Sequence, residues 1–593
     1  MTSRPAFLDV RQSARQRRWI EKLTPAQANI ALDMAQTHGI EEIIARVMAA
    51  RGVTAGEAAG FLDPTIKALM PDPSVITGLN EAAERIARAI TEGERVAIFG
   101  DYDVDGAASS ALLSRYLAHF GIAADIYIPD RIFEGYGPNP AAMAKLADNA
   151  DLIVTVDCGT NSAAAFETVA GSGTDIVVLD HHQVGGPLPD VVSVVNPNRD
   201  DDMSGLTYLC AAGVVFMTLV DVSRQLRSAG RRDLPDLMAL LDLVALATVC
   251  DVVPLVGLNR AFVVKGLAVA RRQTNAGLAA LASVARIGEP LAPFHFGFVL
   301  GPRINAGGRI GDAALGARLL TADDQDGARA LAGELDALNA QRQAIEVQMV
   351  EDARAEAERE LQSANPPSVI VTASHDWHPG IAGLIASRLK EALRKPAFAI
   401  AFDANGIGTG SGRSIAGFDM GRMVRAAVEA GILEKGGGHA MAAGLTVRAE
   451  KLGELRAFFE DKASEAVGRL IENDALEIDG ALSASGVTAA LIDKLARAGP
   501  FGAGHPEPVF ALPRHQIAHV KPVGNGHLKL GLRGMGPGTL DAIAFRVRDE
   551  PLGKMLAENA GRSLHLAGTV SINHWNGRQI PQLRVIDAAI PDR

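Results

Sequence analysis

Between residues 94 and 182, four short runs rich in β-branched residues alternate with Ala-rich stretches of helical length: ERVAIFG (94–100), ADIYIPD (124–130), ADLIVTVD (150–157) and DIVVLD (175–180). Continuous apolar runs of this length read as strands buried on both faces, and parallel neighbours need helical crossovers, so the stretch predicts a wound parallel sheet. Such sheets bind ligands outside the carboxyl ends of their strands. Those ends are acidic here. The first strand runs into Asp101, Asp103 and Asp105 of FGDYDVDG, ahead of a helix expected from Ala107. The third ends in Asp157 and the fourth in Asp180-His181-His182, while the apolar stretch 240–250 delivers Asp251 from a helix end. Three carboxylates within five residues repel one another, and a divalent cation offsets that cost most simply. Taken alone, Asp101 to Asp105 reads equally well as an Asp-rich turn capping a helix; the other acidic strand ends weigh against it. Carboxylates with imidazole and no thiolate suit Mn2+ or Mg2+, and a bridging Asp would hold two ions about 3.5–4 Å apart for phosphoryl chemistry.

The rest of the chain divides around this sheet. With 593 residues it is too long for one core. Residues 1–90 read as a helical adaptor, with Thr24-Pro25 starting one helix; 91–320 form the sheet domain. Residues 321–365 carry the longest helical pattern, capped by Thr321-x-x-Asp324 and stopped by Pro366-Pro367, and read as a connecting strut. A second α/β unit follows at 366–470. After Pro506 short strands broken by Gly suit a small β-barrel, giving a C-terminal domain at 471–593. The fold class is therefore α/β, with two α/β domains joined by a long helix and a barrel appended.

Charge separates the same units. The net charge is −11, yet residues 511–593 hold eleven Lys/Arg against six Asp/Glu, about +5, leaving about −16 elsewhere. That asymmetry marks the barrel as a nucleic-acid module, with Phe545, His574 and Trp575 as candidate platforms. Cys158, Cys210 and Cys250 have no metal-ligand spacing and suit a reducing compartment. No apolar run reaches the roughly 18 residues of a membrane span, and residues 1–20 lack the apolar stretch of a secretory signal. A cytoplasmic protein without membrane contact is expected.

DYDVDG, VDCG, DHH and the Asp of TVCDVVP, in this order, closely resemble the four motifs of the DHH phosphoesterase superfamily, and GGGHAMAAG (436–444) resembles the GGGH motif of the associated DHHA1 domain. GPRINAGGR (301–309), the linker helix and the added barrel are similar to the branch of 5′→3′ exonucleases specific for single-stranded DNA. The resemblance implies two Mn2+ or Mg2+ ions on Asp103, Asp105, Asp157, His181 and Asp251, with Asp157 bridging. It implies catalytic roles for Asp101 as ligand or water-orienting group, for Asp180 as the buttress of an imidazole, and for His182 at the scissile phosphate or leaving group. Ser411, Arg413 and His439, with Arg303, Asn305 and Arg309, would recognise the strand terminus, Arg131 would hold a phosphate and Tyr136 would stack a base. The OB topology of the barrel is likewise implied by the resemblance, as are DNA repair and recombination, single-strand-binding protein and a helicase as partners, and a monomeric state. A small-substrate enzyme acting on short oligonucleotides or cyclic dinucleotides would need neither strut nor basic barrel. A non-catalytic replication scaffold would have lost metal ligands, and every ligand position is filled.

Overall fold

The computed structural model describes residues 4–592 other than 131–133, 136, 364, 535, 537, 576 and 577, with Trp575 described in its backbone only. Arg131 and Tyr136 lie outside the described residues, as does the Trp575 side chain.

The N-terminal segment is not wholly helical. Strand β1 (Arg18–Glu21) pairs in parallel with Ala475–Ile478, more than 450 residues away. Trp19 is fully buried among Ile478, Ala511, Ala567 and Ala589 of the C-terminal domain, and its indole Nε1 donates to Asp587 Oδ2 at 3.1 Å. The helix Pro25–His38 starts as expected, with Thr24 capping and Pro25 in the first turn, and the next, Glu42–Ala49, packs with it against Leu491, Leu495 and Phe510. The helix Leu79–Glu92, by contrast, lies in the core of the parallel-sheet domain. Within residues 1–90, packing thus joins the first helices to the C-terminal domain and the helix Leu79–Glu92 to the sheet domain.

Strands β2 (Val96–Gly100), β3 (Asp125–Tyr127), β4 (Leu152–Val156), β5 (Asp175–Leu179) and β6 (Ser193–Val195) form one parallel sheet in the order β3-β2-β4-β5-β6. Every residue of β2 and β4 is buried, as continuous apolar runs require. The long helix is Gln325–Leu361, about 55 Å at 1.5 Å per residue. Asp324 is its N-cap, accepting from Gly327 N at 2.6 Å, whereas Thr321 ends the preceding helix; the expected Thr cap is replaced by an Asp cap one turn later. Its first half buries Leu335 on the sheet domain and its second half buries Met349 on the next domain.

That domain holds β7 (Ile370–Ser374), β8 (Ala397–Phe402), β9 (Ile407–Arg413), β10 (Lys435–Gly438) and β11 (Ala442–Arg448) in the order β10-β11-β9-β8-β7; only β7 and β8 are parallel. Beyond β12 (Ala475–Ile478) and β13 (Gly480–Ala481), the strands β14 (Phe510–Val523), β15 (His527–Arg533), β16 (Thr539–Ala544), β17 (Ser563–Trp575) and β18 (Arg578–Ala589) close into a five-stranded barrel through β14–β17 pairing. Closure removes the sheet edges that would otherwise pair with other chains.

Candidate metal centre

Topology brings the acidic strand ends together. Asp101 follows β2, and Asp103 caps a helix that starts at Val104, three residues before the expected position; its Oδ1 accepts from Asp105 N at 2.9 Å and Gly106 N at 3.1 Å. Capping and ligation are therefore compatible at Asp103, because the cap occupies only one carboxylate oxygen. Asp105, on the first helical turn, is buried and accepts from Ala211 N at 2.6 Å and Ala212 N at 2.9 Å, at the N-terminus of Ala211–Ser228. Asp157 follows β4 with a φ of 61°.

His181 Nε2 stands at the centre, 3.2 Å from Asp157 Oδ1 and 3.7 Å from both Asp105 Oδ2 and Asp251 Oδ2. It is buried without a hydrogen-bond partner among the described residues. Three groups of potential ligands result among the described residues, Asp101–Asp103–Asp157, Asp105–His181–Asp251 and Asp157–His181–His182, each with its donor atoms within 4.8 Å of one another. Asp157 belongs to the first and third and touches the second through His181. Burial, then the charges of Asp105, Asp103, Asp101 and Asp251, push the Asp157 carboxyl well above the usual carboxylate range. Burial with Asp105 and Asp103 does the same to Asp251, and burial also raises Asp105 and lowers His181. Burial keeps all three cysteine thiols protonated, so the available donors are hard oxygens and one imidazole. That set fits Mn2+ or Mg2+.

Asp180 points elsewhere. Its Oδ1 accepts from His181 N, His182 N and His182 Nδ1 at 2.7, 3.1 and 2.8 Å, and its Oδ2 from Thr160 N at 3.0 Å. Although burial opposes ionisation, these bonds and both histidines hold Asp180 below the usual range. Burial likewise opposes charge on His182, but the hydrogen bond to Asp180 and its charge prevail and raise the imidazole to about 9. Two groups that sequence reasoning missed hold this loop: Asn196 Nδ2 donates to His182 O at 2.8 Å and Asn198 Nδ2 to His181 O at 2.6 Å. Their signal was present, since NPN (196–198) follows the fifth strand at the same carboxyl edge.

The Gly-rich segments are not loops. GPRINAGGR lies within the helix Gly301–Ile310, where Gly308 lets the backbone approach motif one so closely that a Cβ would lie 2.9 Å from Tyr102 O. Arg309 Nη1 donates to Gly380 O at 2.8 Å across the domain boundary, and Asn305 Oδ1 is buried in the same helix without a hydrogen-bond partner among the described residues. Arg303 donates to Asp336 Oδ1 on the long helix and to Val299 O, both at 2.8 Å, and so ties its helix to the long helix. Ser411 and Arg413 end β9, with Arg413 Nη1 3.0 Å from Ser411 Oγ; Gly383, three residues beyond Gly380, backs onto both. His439 follows β10 and faces His182 across a cleft of about 930 Å3 that Asn161, Asp180 and Arg425 also line. Burial and His182 hold the His439 imidazole below its ordinary value.

A parallel sheet with these acidic and imidazole groups at its carboxyl edge, linked by a long helix to a second α/β domain carrying a GGGH strand end, defines a DHH–DHHA1 phosphoesterase. The DHH family N-terminal domain matches residues 95–248, the DHHA1 domain 367–465 and the RecJ OB domain 478–587. The chain is 36% identical to the single-stranded-DNA-specific exonuclease RecJ of Escherichia coli K12 over 566 residues, covering 93% of this chain and 96% of that protein. It is 36% identical to the RecJ exonuclease of Dickeya dadantii over 560 residues, covering 92% and 95%. The structure of RecJ with Mn2+ from Thermus thermophilus superposes with a TM-score of 0.77 at 30% identity, covering 96% of this chain and 79% of that one. The chain belongs to the RecJ family.

Proposed function

We propose that this protein is a metal-dependent 5′→3′ exonuclease that hydrolyses single-stranded DNA to 5′-mononucleotides in repair and recombination. The observation that carries the reading is the three ligand groups that meet at Asp157 and His181 beside a cleft walled by two domains. Asp101 and Asp103 would hold one ion, Asp105, His181 and Asp251 the other. Two such ions lower the pKa of an attacking water and neutralise charge developing on the phosphate and the leaving 3′ oxygen. Asp180 keeps His182 protonated at neutral pH, so that His182 can donate to the scissile phosphate or leaving oxygen. Asn305, Arg309, Ser411, Arg413 and His439 would hold the terminal nucleotide. Hydrolysis of 5′-labelled single-stranded but not double-stranded oligonucleotides, dependent on Mn2+ and stopped by EDTA, is the expected result; equal cleavage of duplex overturns the strand preference. The reading includes a monomeric cytoplasmic enzyme that meets single-strand-binding protein and a helicase on its substrate.

The strand's path follows exposed groups leading from Asp251. Phe294 and Phe298 are stacked at 5.3 Å and 22°, and are 55% and 74% exposed. They line a groove of about 560 Å3 with Val252, Pro506 and Arg584. Arg584 then lies 5.5 Å over the ring of Phe545, and cross-strand pairing sets Lys529, Ile543 and Arg584 side by side on one barrel face. His574 is instead tied to Glu289 at 2.7 Å, across the seam between barrel and sheet domain. Because Trp19 packs on the outer face of the barrel against Ala511, Ala567 and Ala589, deleting residues after Pro506 would unpack the N-terminal segment, so charge removal is the sounder probe. Lys529→Ala with Arg584→Ala should weaken long single strands and flatten the dependence of log affinity on log salt by about 1.4, at about 0.7 for each phosphate no longer neutralised. An unchanged slope moves the strand to the interdomain cleft.

The raised carboxyls fix the sign of a pH effect. In the metal-free protein Asp157, Asp251 and Asp105 bind protons more tightly folded than unfolded. Their contribution to stability is full below the ordinary carboxylate pKa of about 4 and is lost as pH rises through the raised values. Metal replaces those protons, so the gap in Tm between Mn2+ and EDTA should widen from pH 5.5 to 8. A gap independent of pH counts against this cluster as the metal site.

A further inference from the structure

The loop that carries Asp251 leaves the end of the helix Leu241–Cys250 and is braced from outside as well. Val252, the next residue, has a φ of 60°, a conformation that a β-branched residue keeps only when its surroundings impose it. Locally Asp251 N donates to Ala247 O at 2.9 Å, Val252 N to Val249 O at 3.3 Å and Val256 N to Pro254 O at 2.9 Å, and Pro254 O also accepts from Asn259 Nδ2 at 3.0 Å; further contacts come from the far end of the chain. Leu255 N donates to Ala503 O at 2.9 Å. Ala503 sits in a tight turn in which Gly502 N donates to His505 O at 2.9 Å and His505 N to Gly502 O at 3.1 Å. Gly504, with a φ of 65°, seats this turn on the loop so closely that a Cβ would lie 2.8 Å from Pro254 Cβ and 3.1 Å from its Cα.

The turn is itself gripped from two sides. His505 stacks on Phe501 at 5.2 Å and 7°, tilts against Phe61 at 5.7 Å, and its Nε2 lies 2.9 Å from Ala498 O. The Arg260 guanidinium lies 3.7 Å over Phe61 and donates to Ala498 O at 3.1 Å. Arg51 lies over Phe501 at 5.6 Å and donates to Pro506 O at 2.5 Å. The N-terminal segment and the helix Gly257–Ala270 thus clamp a turn that presses on the Asp251 loop.

We propose that the turn Gly502–His505 is a positioning element for the metal centre, holding Asp251 at the distance from His181 that a cation requires. The inference rests on the proposed ligand role of Asp251, and it makes the N-terminal segment and the C-terminal domain contributors to metal affinity as well as to strand binding. Groups that orient metal ligands from outside typically change affinity 10- to 100-fold when altered.

The test uses the full-length protein and Mn2+ alone, with the free aquo ion followed by EPR. In Gly504→Ala the weaker of the Mn2+ ions should lose at least about tenfold in affinity. Its kcat should fall at low Mn2+ and recover at high Mn2+, with oligonucleotide binding in EDTA unchanged. Gly561→Ala carries the same φ penalty at 83°, with open space around its Cβ, and should titrate as wild type. His505→Ala, which loosens the turn without touching the loop, should shift Mn2+ affinity in the same direction and keeps the question open to refutation if Gly504→Ala does not fold. Wild-type Mn2+ affinity in Gly504→Ala, or in His505→Ala where Gly504→Ala does not fold, overturns the proposal if Asp251→Asn is weakened. An Asp251→Asn variant that titrates as wild type overturns instead the metal reading beneath it.

Discussion

Asp157→Asn should lose at least about a thousandfold in kcat at saturating Mn2+, while its Tm in EDTA at pH 8 equals or exceeds that of wild type. Asp157 belongs to two of the three ligand groups and lies 3.2 Å from His181 of the remaining one, and a thousandfold corresponds to about 4 kcal/mol of transition-state stabilisation, within what a polarising cation supplies. The stability prediction follows from the raised carboxyl: an ionised Asp157 is opposed by burial and by four neighbouring carboxylates, and an amide removes that repulsion. Asn is the right replacement because it tolerates the φ of 61°, whereas Ala would add backbone strain to the loss of a ligand. Retention of more than about a tenth of the wild-type rate sinks the bridging assignment. A large fall in Tm in EDTA would show that Asp157 serves the fold instead.

Arg413→Ala should slow hydrolysis of 5′-phosphorylated strands roughly 10- to 150-fold and leave 5′-hydroxyl strands nearly unaffected. A charge-assisted bidentate contact is worth about 1.5–3 kcal/mol, and only the phosphorylated end can make it. The placement supports the role: Arg413 and Ser411 back onto Gly383, Arg309 reaches Gly380 of the same segment, and Gly308 beside Arg309 lies on Tyr102 between two of the acidic ligands. The terminus site and the metal centre are thus connected through a single short helix. Comparing kcat/KM on the two ends separates the possibilities. Equal slowing on both would make Arg413 a brace between the domains, acting through its bonds to Ser411 Oγ and Gly412 O.

The candidate metal centre was legible in the sequence because each of its acidic and imidazole groups lies within a few residues of a strand or helix end, and the local pattern that marks a buried strand also marks its carboxyl edge. Asp101, Asp103, Asp105, Asp157, His181 and Asp251 could be gathered in this way without knowing any long-range contact. The two-domain plan with its connecting helix was legible for the same reason, since a stripe and its stop signals are local. What only the tertiary structure decided is contact between segments far apart in the chain. Nothing near Trp19 announces that it packs against the outside of a barrel built more than 450 residues later, because burial there depends on a parallel pairing that has no sequence signature. GPRINAGGR reads as a turn by propensity, since Gly costs a helix about 1 kcal/mol per residue, yet it is helical because bare backbone is what allows it to lie against Tyr102. The ion pair of Arg303 with Asp336, 33 residues on, is likewise decided by how two helices pack. The seat of Gly504 on Pro254 is of the same kind: a glycine's conformation is local, but what its missing side chain makes room for is fixed only when the whole chain has packed.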